Sequence, residues 1–269
     1  MFGWFRKKKK EQEPSRPVEK AIVEEFSDVG PLLEYFKKET GIDFDAKRDI
    51  ITQKLIRFCR ERELYGFDSC LRTMRERETL KQELIDYLTV NETYFYREIA
   101  QIKEVVEIVR SSLGRVEILC APCSTGEEPY TIVMMLLEAG IAPERFHILG
   151  IDINAEAVEK SQKALYRERS LHRLPPEMAQ RYFEKTDRGY RLREAVTRCV
   201  AFRRMNIFDS SFTQLGRFDI IFSRNMLIYF DRQTKLEAKE RLERLLRDGK
   251  SRIFFGHADL GGLGLTGAM

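Results

Sequence analysis

Apolar residues recur every third or fourth position between Val29 and Leu88, in the stretches PLLEYFKKETG, AKRDIITQKLIRFCRERELYGF and CLRTMRERETLKQELIDYL. That spacing gathers them on one face of a helix and leaves Lys, Arg and Glu on the other. Gly41 and Gly66 stand where helices would stop. The region is therefore expected to be a small helical bundle with charged outer faces. From Val116 the period changes. Short β-rich runs, VEILCAP, FHILGIDI, VAFRRMNIF and RFDIIFSRNMLIYF, are separated by the helical stretches PYTIVMMLLEAG, NAEAVEKSQKALY and QTKLEAKERLERLLRD. Strands alternating with helices predict an α/β fold with a mostly parallel, Rossmann-like sheet covered on both faces. The alternation breaks between about 167 and 199. There the pattern predicts a helix followed by a small antiparallel β insertion, at about 175–200, turning near Gly189. The expected organisation is an arm over 1–25, a helical domain over 26–88, a linker and connecting helix over 89–115, and a sheet-bearing domain over 116–269.

Charge refines this picture only locally. The 269 residues carry 47 basic and 43 acidic side chains, a net +4, which gives no whole-chain reason to expect nucleic acid. The run RKKKK at 6–10, followed by EQEPSRPVEK, reads as a disordered basic arm. The short apolar MFGWF before it lacks the following apolar region of a secretory signal, and no run is long enough to span a bilayer. Five scattered cysteines fit a reducing compartment, so a cytoplasmic protein is expected. Cys120 and Cys123 form one C-x-x-C without a second, and His147, His172 and His257 are far away in sequence. Both cysteines are expected to pack a strand and its turn, and no metal is expected.

The chemistry is expected at strand ends. In an open α/β sheet, ligands lie beyond the carboxyl ends of the strands. The first run, VEILCAPCSTGEEPYT, passes from apolar residues straight into Ser124, Thr125, Gly126 and two glutamates. No Lys follows the glycine as in a P-loop, and a single glycine cannot make the dinucleotide fingerprint. Two carboxylates suit a cofactor bearing positive charge or hydroxyls better than a phosphate. Asp152 ends the second run, about 30 residues after the first begins, where an acid can accept hydrogen bonds from both ribose hydroxyls. Asn206 and Asp209 follow the third run, and Ser223, Arg224 and Asn225 the fourth. Together they point to S-adenosylmethionine, with Glu127 near its sulfonium and amino-acid end.

The segments LTVNETYFYRE (88–98), CSTGEEPYTI (123–132), ILGIDIN (148–154) and FSRNMLIYFD (222–231) closely resemble the motifs of the chemotaxis receptor methyltransferases, the CheR family. The resemblance runs in order from roughly Phe26 to Asp259. It implies a protein-glutamate O-methyltransferase that moves a methyl group from S-adenosylmethionine to glutamates of chemoreceptor cytoplasmic helical domains, leaving S-adenosylhomocysteine and γ-glutamyl methyl esters. It also implies cofactor contacts at Asn91, Thr93, Arg97, Ala121, Glu127, Asp152, Asn206, Ile207, Ser223 and Arg224. Arg97 and Tyr229 are implied to stand closest to the transferred methyl and the incoming carboxylate, and the chain is expected to be a monomer.

Two departures from the family pattern bear on how substrate is found. The segment YFEKTDRGYRLREAVTRCVAF is shorter than in members that dock a receptor's C-terminal peptide, and it lacks their glycine-containing loop. Engagement is therefore expected on the basic helical face of 46–81, which includes Lys47, Lys54, Arg57, Arg62 and Arg72. GHAD at 256–259 replaces the family's Gly-His-Ser-Glu, and members continue into a final strand, so the sheet is expected to be incomplete or its edge covered differently. Two rivals remain: a methyltransferase of the same fold with another substrate, and a regulator that binds cofactor and receptor without transfer. RNMLIY after the fourth run replaces the Asn/Asp-Pro-Pro-Tyr/Phe signature of amino-group methylators, which opposes the first. The presence of Arg97, Glu127, Asp152 and Tyr229 opposes the second.

Overall fold

The computed structural model describes residues 25–261 and 263, so the expected basic arm lies outside the described residues apart from Glu25. Four helices come first: α1 (Gly30–Thr40), α2 (Arg48–Arg60), α3 (Phe67–Glu76) and α4 (Glu78–Leu88). Their apolar positions meet in one core, in which Ile51, Leu55, Phe58 and Cys59 of α2 face Cys70 and Met74 of α3 and Leu84 and Leu88 of α4. The third helical stretch is two helices rather than one, because Arg77 adopts an extended backbone between them. Gly41 ends α1 at φ 77°, and its backbone N–H bonds back to Lys37. A Cβ there would lie 2.4 Å from the Phe208 ring, so glycine both turns the chain and lets the helices sit close on the sheet unit.

A connecting helix, α5 (Ile99–Ser111), leads into β1 (Val116–Cys120), α6 (Glu127–Glu138), β2 (Phe146–Asp152) and α7 (Ala155–Lys163). The insertion then supplies β3 (Leu165–Tyr166), α8 (Pro176–Tyr182), β4 (Phe183–Thr186), β5 (Gly189–Leu192) and the short α9 (Glu194–Thr197). β6 (Val200–Arg204), β7 (Ile220–Ser223), α10 (Arg232–Glu243) and β8 (Arg252–Phe255) complete the order. Five strands pair in parallel in the order β6-β2-β1-β7-β8. β8, which the sequence pattern did not reveal, covers the edge of β7, with Ile220 opposite Arg252.

Period-two alternation sorts the strand residues to two cores. Ile118, Cys120, Ile148, Ile220 and Phe222 pack on the face with α5 and α6, while Leu119, Ile151 and Ile221 pack on the face with α10 and Phe212. The antiparallel insertion is confirmed in kind but starts earlier than expected, because β3 joins the β4-β5 hairpin as a third strand. Gly189 follows the turn at φ 135°, where a Cβ would lie 2.4 Å from the Tyr166 carbonyl oxygen. Among the described residues no helix is long and apolar enough to cross a membrane.

Candidate active site

The strand order reverses direction at β1, with β2 on one side and β7 on the other, so a crevice opens beyond their carboxyl ends. It forms a cavity of about 580 Å³. The helical unit closes its other side with Thr40, Phe44, Ile50 and Ile51, and the segment 88–93 lines it as well.

β1 enters the crevice through Ala121, Pro122, Cys123 and Ser124, and Ser124 adopts a left-handed φ of 48°. Gly126 follows at φ 93° as the residue before α6, where a Cβ would lie 2.8 Å from Ser161 Cβ. This turn decides the fate of the two glutamates. Glu127 is drawn beneath the helix end, where its carboxylate accepts a hydrogen bond from Thr125 Oγ1 at 2.6 Å and burial raises its pKa. Glu127 therefore does not line the cavity, whereas Glu128, one residue on and rotated about 100° around the helix, does.

Asp152 ends β2 inside the cavity lining. Its Oδ2 accepts the Ser124 N–H at 2.8 Å and its Oδ1 the Asn154 N–H at 2.9 Å. Burial pushes its pKa up to about 6 despite these opposing backbone hydrogen bonds. Each oxygen still has capacity to accept a further hydrogen bond. Asn154 caps α7 and reaches across to Thr89 Oγ1 at 2.7 Å, tying the segment after α4 to the second strand's tip. Asn206 makes a similar tie. Its Nδ2 donates to the Glu39 carbonyl at 2.6 Å and its Oδ1 accepts from the Phe208 N–H at 2.9 Å, while Ile207 beside it is buried against the cavity.

Arg224, just past β7, is a buried guanidinium with four partners. Nε donates to Glu128 at 2.5 Å, Nη2 to the Arg97 carbonyl at 3.1 Å, and Nη1 to the Glu98 carbonyl and Gln101 Oε1, each at 3.3 Å. The segment it grips is strained, for Tyr96 and Glu98 flank Arg97 at φ 69° and 49°. Non-glycine residues in that region cost about 1–3 kcal/mol each and persist only where their surroundings over-determine them. Here the carbonyl bonds from Arg224 and a bond from the Tyr96 N–H to Thr131 Oγ1 do so. The Arg97 side chain is thereby turned into the cavity, with Nη1 donating to the Glu92 carbonyl at 3.0 Å and the guanidinium 5.6 Å from the Tyr94 ring centre.

Tyr229 stands opposite, at the end of a 3-10 turn (Leu227–Tyr229). The loop before it is anchored by buried Asp259, whose Oδ2 accepts the Asn225 and Gly256 N–H groups at 2.6 and 2.8 Å. The aspartate of GHAD thus serves as a loop brace. Burial raises the Tyr229 pKa, Glu92 adds to the rise and Arg97 opposes it.

Of the sequence-predicted residues, Asn91, Thr93, Arg97, Ala121, Asp152, Asn206, Ile207, Arg224 and Tyr229 line this one cavity. Glu127 and Ser223 do not. Ser223 is fully buried within the sheet, because its strand position points it into the interior. Sequence reasoning passed over Glu128 and Ser124 as lining groups; of the expected basic face, Lys47, just before α2, and Lys54 on α2 also line the cavity. Among the other basic residues of the helical unit, Arg57 pairs with Glu61, and Arg62 covers the Phe58 ring and pairs with Glu83. Cys120 and Cys123 are buried free thiols in the sheet core. Among the described residues no three His, Cys, Asp or Glu side chains converge as metal ligands.

Comparison with known proteins adds four findings. The family profile described as CheR methyltransferase, SAM binding domain, matches residues 91–261. A chemotaxis protein methyltransferase of Campylobacter jejuni subsp. jejuni serotype O:23/36 (strain 81-176) is 38% identical over 244 residues, spanning 90% of this chain and 92% of that protein. The chemotaxis protein methyltransferase of Escherichia coli (strain K12) is 34% identical over 223 residues, spanning 80% of this chain and 77% of that protein. A solved SAM-dependent methyltransferase from Geobacter sulfurreducens in complex with S-adenosyl-L-homocysteine is 12% identical, with a TM-score of 0.37 over 65% of this chain and 54% of that chain.

Proposed function

Because the chain belongs to the CheR family of S-adenosylmethionine-dependent methyltransferases, we propose that it esterifies glutamate side chains on the helical cytoplasmic domains of chemoreceptors. The observation that carries this reading is the meeting, in one cavity, of the buried Asp152 carboxylate with the Arg97 guanidinium and the Tyr229 hydroxyl. When bound, S-adenosylmethionine supplies a methyl group activated on a sulfonium.

The residues present fit that cofactor. Asp152 keeps acceptor capacity on both oxygens, which suits a pair of ribose hydroxyls. Ser124 Oγ and Glu128 Oε1 are buried without a hydrogen-bond partner among the described residues, and a ligand's hydroxyl or ammonium would satisfy them. Ala121 and Ile207 offer apolar walls, and Asn91, Thr93 and Asn206 a polar edge. We assign Glu127, Ser223 and Arg224 supporting roles behind this surface: the first two stand outside the lining, and Arg224 spends its donors on protein groups.

The acceptor's requirements are simple. A glutamate is already ionised at neutral pH, so its carboxylate needs placement more than deprotonation. Positioning of this kind can lower a barrier by about 7–11 kcal/mol at best. Arg97 can hold the carboxylate through charge-assisted hydrogen bonds, and Tyr229, kept neutral by its raised pKa, can donate one more. An arginine that gripped too tightly would favour the ground state, so its role is alignment. We further assign residues 26–88 as the unit that closes the cavity over the acceptor. A monomer working in the cytoplasm completes the reading, and five free cysteines support a reducing compartment.

The test uses methyl-labelled S-adenosylmethionine with the chain and a receptor signalling domain. Label on the receptor that mild base releases as methanol is the expected result. Base-stable label would indicate another acceptor group, and cofactor binding without transfer to any receptor domain would indicate a regulator.

A further inference from the structure

Among the described residues four carboxylates line the cavity, and three of them are committed. Asp43 pairs with Lys37 at 2.8 Å, Glu128 holds Arg224 at 2.5 Å, and Asp152 takes two backbone N–H groups. Glu92 differs. Its side chain is exposed and makes no hydrogen bond or ion pair among the described residues. Its backbone is nevertheless fixed within the site, because its carbonyl accepts from Arg97 Nη1 at 3.0 Å. On either side stand Asn91 and Thr93, which line the same cavity. Among the described residues the Arg97 guanidinium has one ion pair, a long one with Glu98 at 3.8 Å, and Glu98 is shared with Arg224 at 3.6 Å. Donors on Arg97 therefore remain for another carboxylate. The charge of Glu92 already reaches the Tyr229 hydroxyl and helps to keep its proton on.

A glutamate with an uncommitted side chain is thus tethered beside the two groups assigned to the acceptor, and a glutamate carboxylate is the group this site is read to methylate. Resting on that acceptor reading, we propose that the protein also methylates itself: with cofactor bound and no receptor in place, the Glu92 side chain turns to Arg97 and Tyr229 and takes the methyl group. One Glu92 oxygen bonds to the methyl carbon as the bond from that carbon to the sulfonium sulfur breaks. The bonding pair stays on sulfur, so S-adenosylhomocysteine and a Glu92 γ-methyl ester are formed. No proton moves, and no oxidant or reductant is needed. Tethering makes the step intramolecular, which spares the entropy of bringing two molecules together. Glu128 and Asp152 are excluded as acceptors by the partners that hold them. The ester stays attached, so each chain is modified once, whereas receptor glutamates come and go. A receptor glutamate competes with Glu92 for the same two groups, so bound receptor protects Glu92.

The experiment incubates the full chain with methyl-labelled S-adenosylmethionine and no receptor, and reads the label by intact mass and peptide mapping. Label should appear once per chain, on the peptide that carries Glu92, and mild base should release it as methanol. Its first-order rate should not change with protein concentration, and a saturating receptor signalling domain should suppress it. Glu92→Gln, which keeps the carbonyl that Arg97 holds, should lose the self-label and still label the receptor domain. Glu92→Asp, one methylene shorter, should slow self-labelling by about a hundredfold through misplacement of the carboxylate. A second readout needs no cofactor. In the ligand-free chain with carbon-13-labelled tyrosine, Glu92→Gln should lower the pKa of the NMR signal that Tyr229→Phe removes. A native chain that labels receptor domains but not itself would overturn the proposal and leave the acceptor reading standing. Label mapped to another residue, a rate that rises with protein concentration, or a Tyr229 titration indifferent to Glu92→Gln would overturn it too. If neither receptor domain nor chain is labelled, the acceptor reading falls and self-methylation falls with it.

Discussion

The two halves of the cavity are made differently. On the side of the sheet, polar groups are buried and committed: Asp152 takes two backbone N–H groups, and Arg224 binds Glu128 and the main chain around Arg97. On the side of the helical unit, the lining is exposed and uncommitted, with Ile50, Val90, Lys47 and Lys54 open to solvent. Pre-ordered buried groups recognise a small ligand at little entropic cost. An open, mixed surface suits a larger partner that brings its own structure. The difference teaches that cofactor affinity and acceptor recognition should be separable by mutation.

The largest effect is expected where the committed half is broken at its charge. Arg224→Met would strand Glu128 and release the strained carbonyls of Arg97 and Glu98. Unfolding by denaturant should show a loss of about 3–5 kcal/mol, with part of it recovered by Glu128→Gln in the same chain. Asp152→Ala comes next. It should weaken cofactor binding by about 1–3 kcal/mol in calorimetry while leaving the acceptor KM near native.

The same aspartate sets a pH dependence. Its pKa in the folded protein, about 6, lies above the ordinary value of 3.8, so protonation between those values favours the folded chain and ionisation works against it. Donation from ligand hydroxyls favours the ionised form. Cofactor affinity should therefore be full above about pH 6 and fall as the pH drops through it, by up to about tenfold per unit, equivalent to about 1.4 kcal/mol. Asp152→Asn should flatten that profile. The smallest effect belongs to the open half: Lys47→Glu and Lys54→Glu should each raise the acceptor KM by about 0.2–1 kcal/mol. That effect should shrink as salt rises, with cofactor Kd unmoved.

Most of the committed half was legible in the sequence because strand tips announce themselves. An apolar run that ends in Asp152, or in Ser223 and Arg224, places those residues at a sheet edge whatever the details of packing. What was not legible was orientation. Glu127 and Glu128 are adjacent in sequence, and only the left-handed turn through Ser124 and Gly126 decides which enters the cavity. Ser223 shows the same limit in a strand, where one step of a two-residue period separates the interior from the site. The division of α3 from α4 hangs on the backbone of Arg77 alone, and β3 is two residues long, too short for any period. The acceptor side was read as a charge pattern on helices. The exposed apolar residues that join Lys47 and Lys54 come from segments far apart in sequence, so only folding brings them together.

The central claim is that Tyr229, although it stands on the side of the sheet, serves the acceptor and not the cofactor, and single-turnover methyl transfer by Tyr229→Phe, at saturating cofactor and receptor domain, tests it most directly. Loss of one hydrogen bond to the carboxylate should slow transfer by about 10- to 150-fold, equivalent to about 1.5–3 kcal/mol. Cofactor Kd, measured on the same preparation, should stay within twofold of native. Transfer at the native rate, or a loss of cofactor affinity that accounts for the whole decrease, would contradict the division of the cavity.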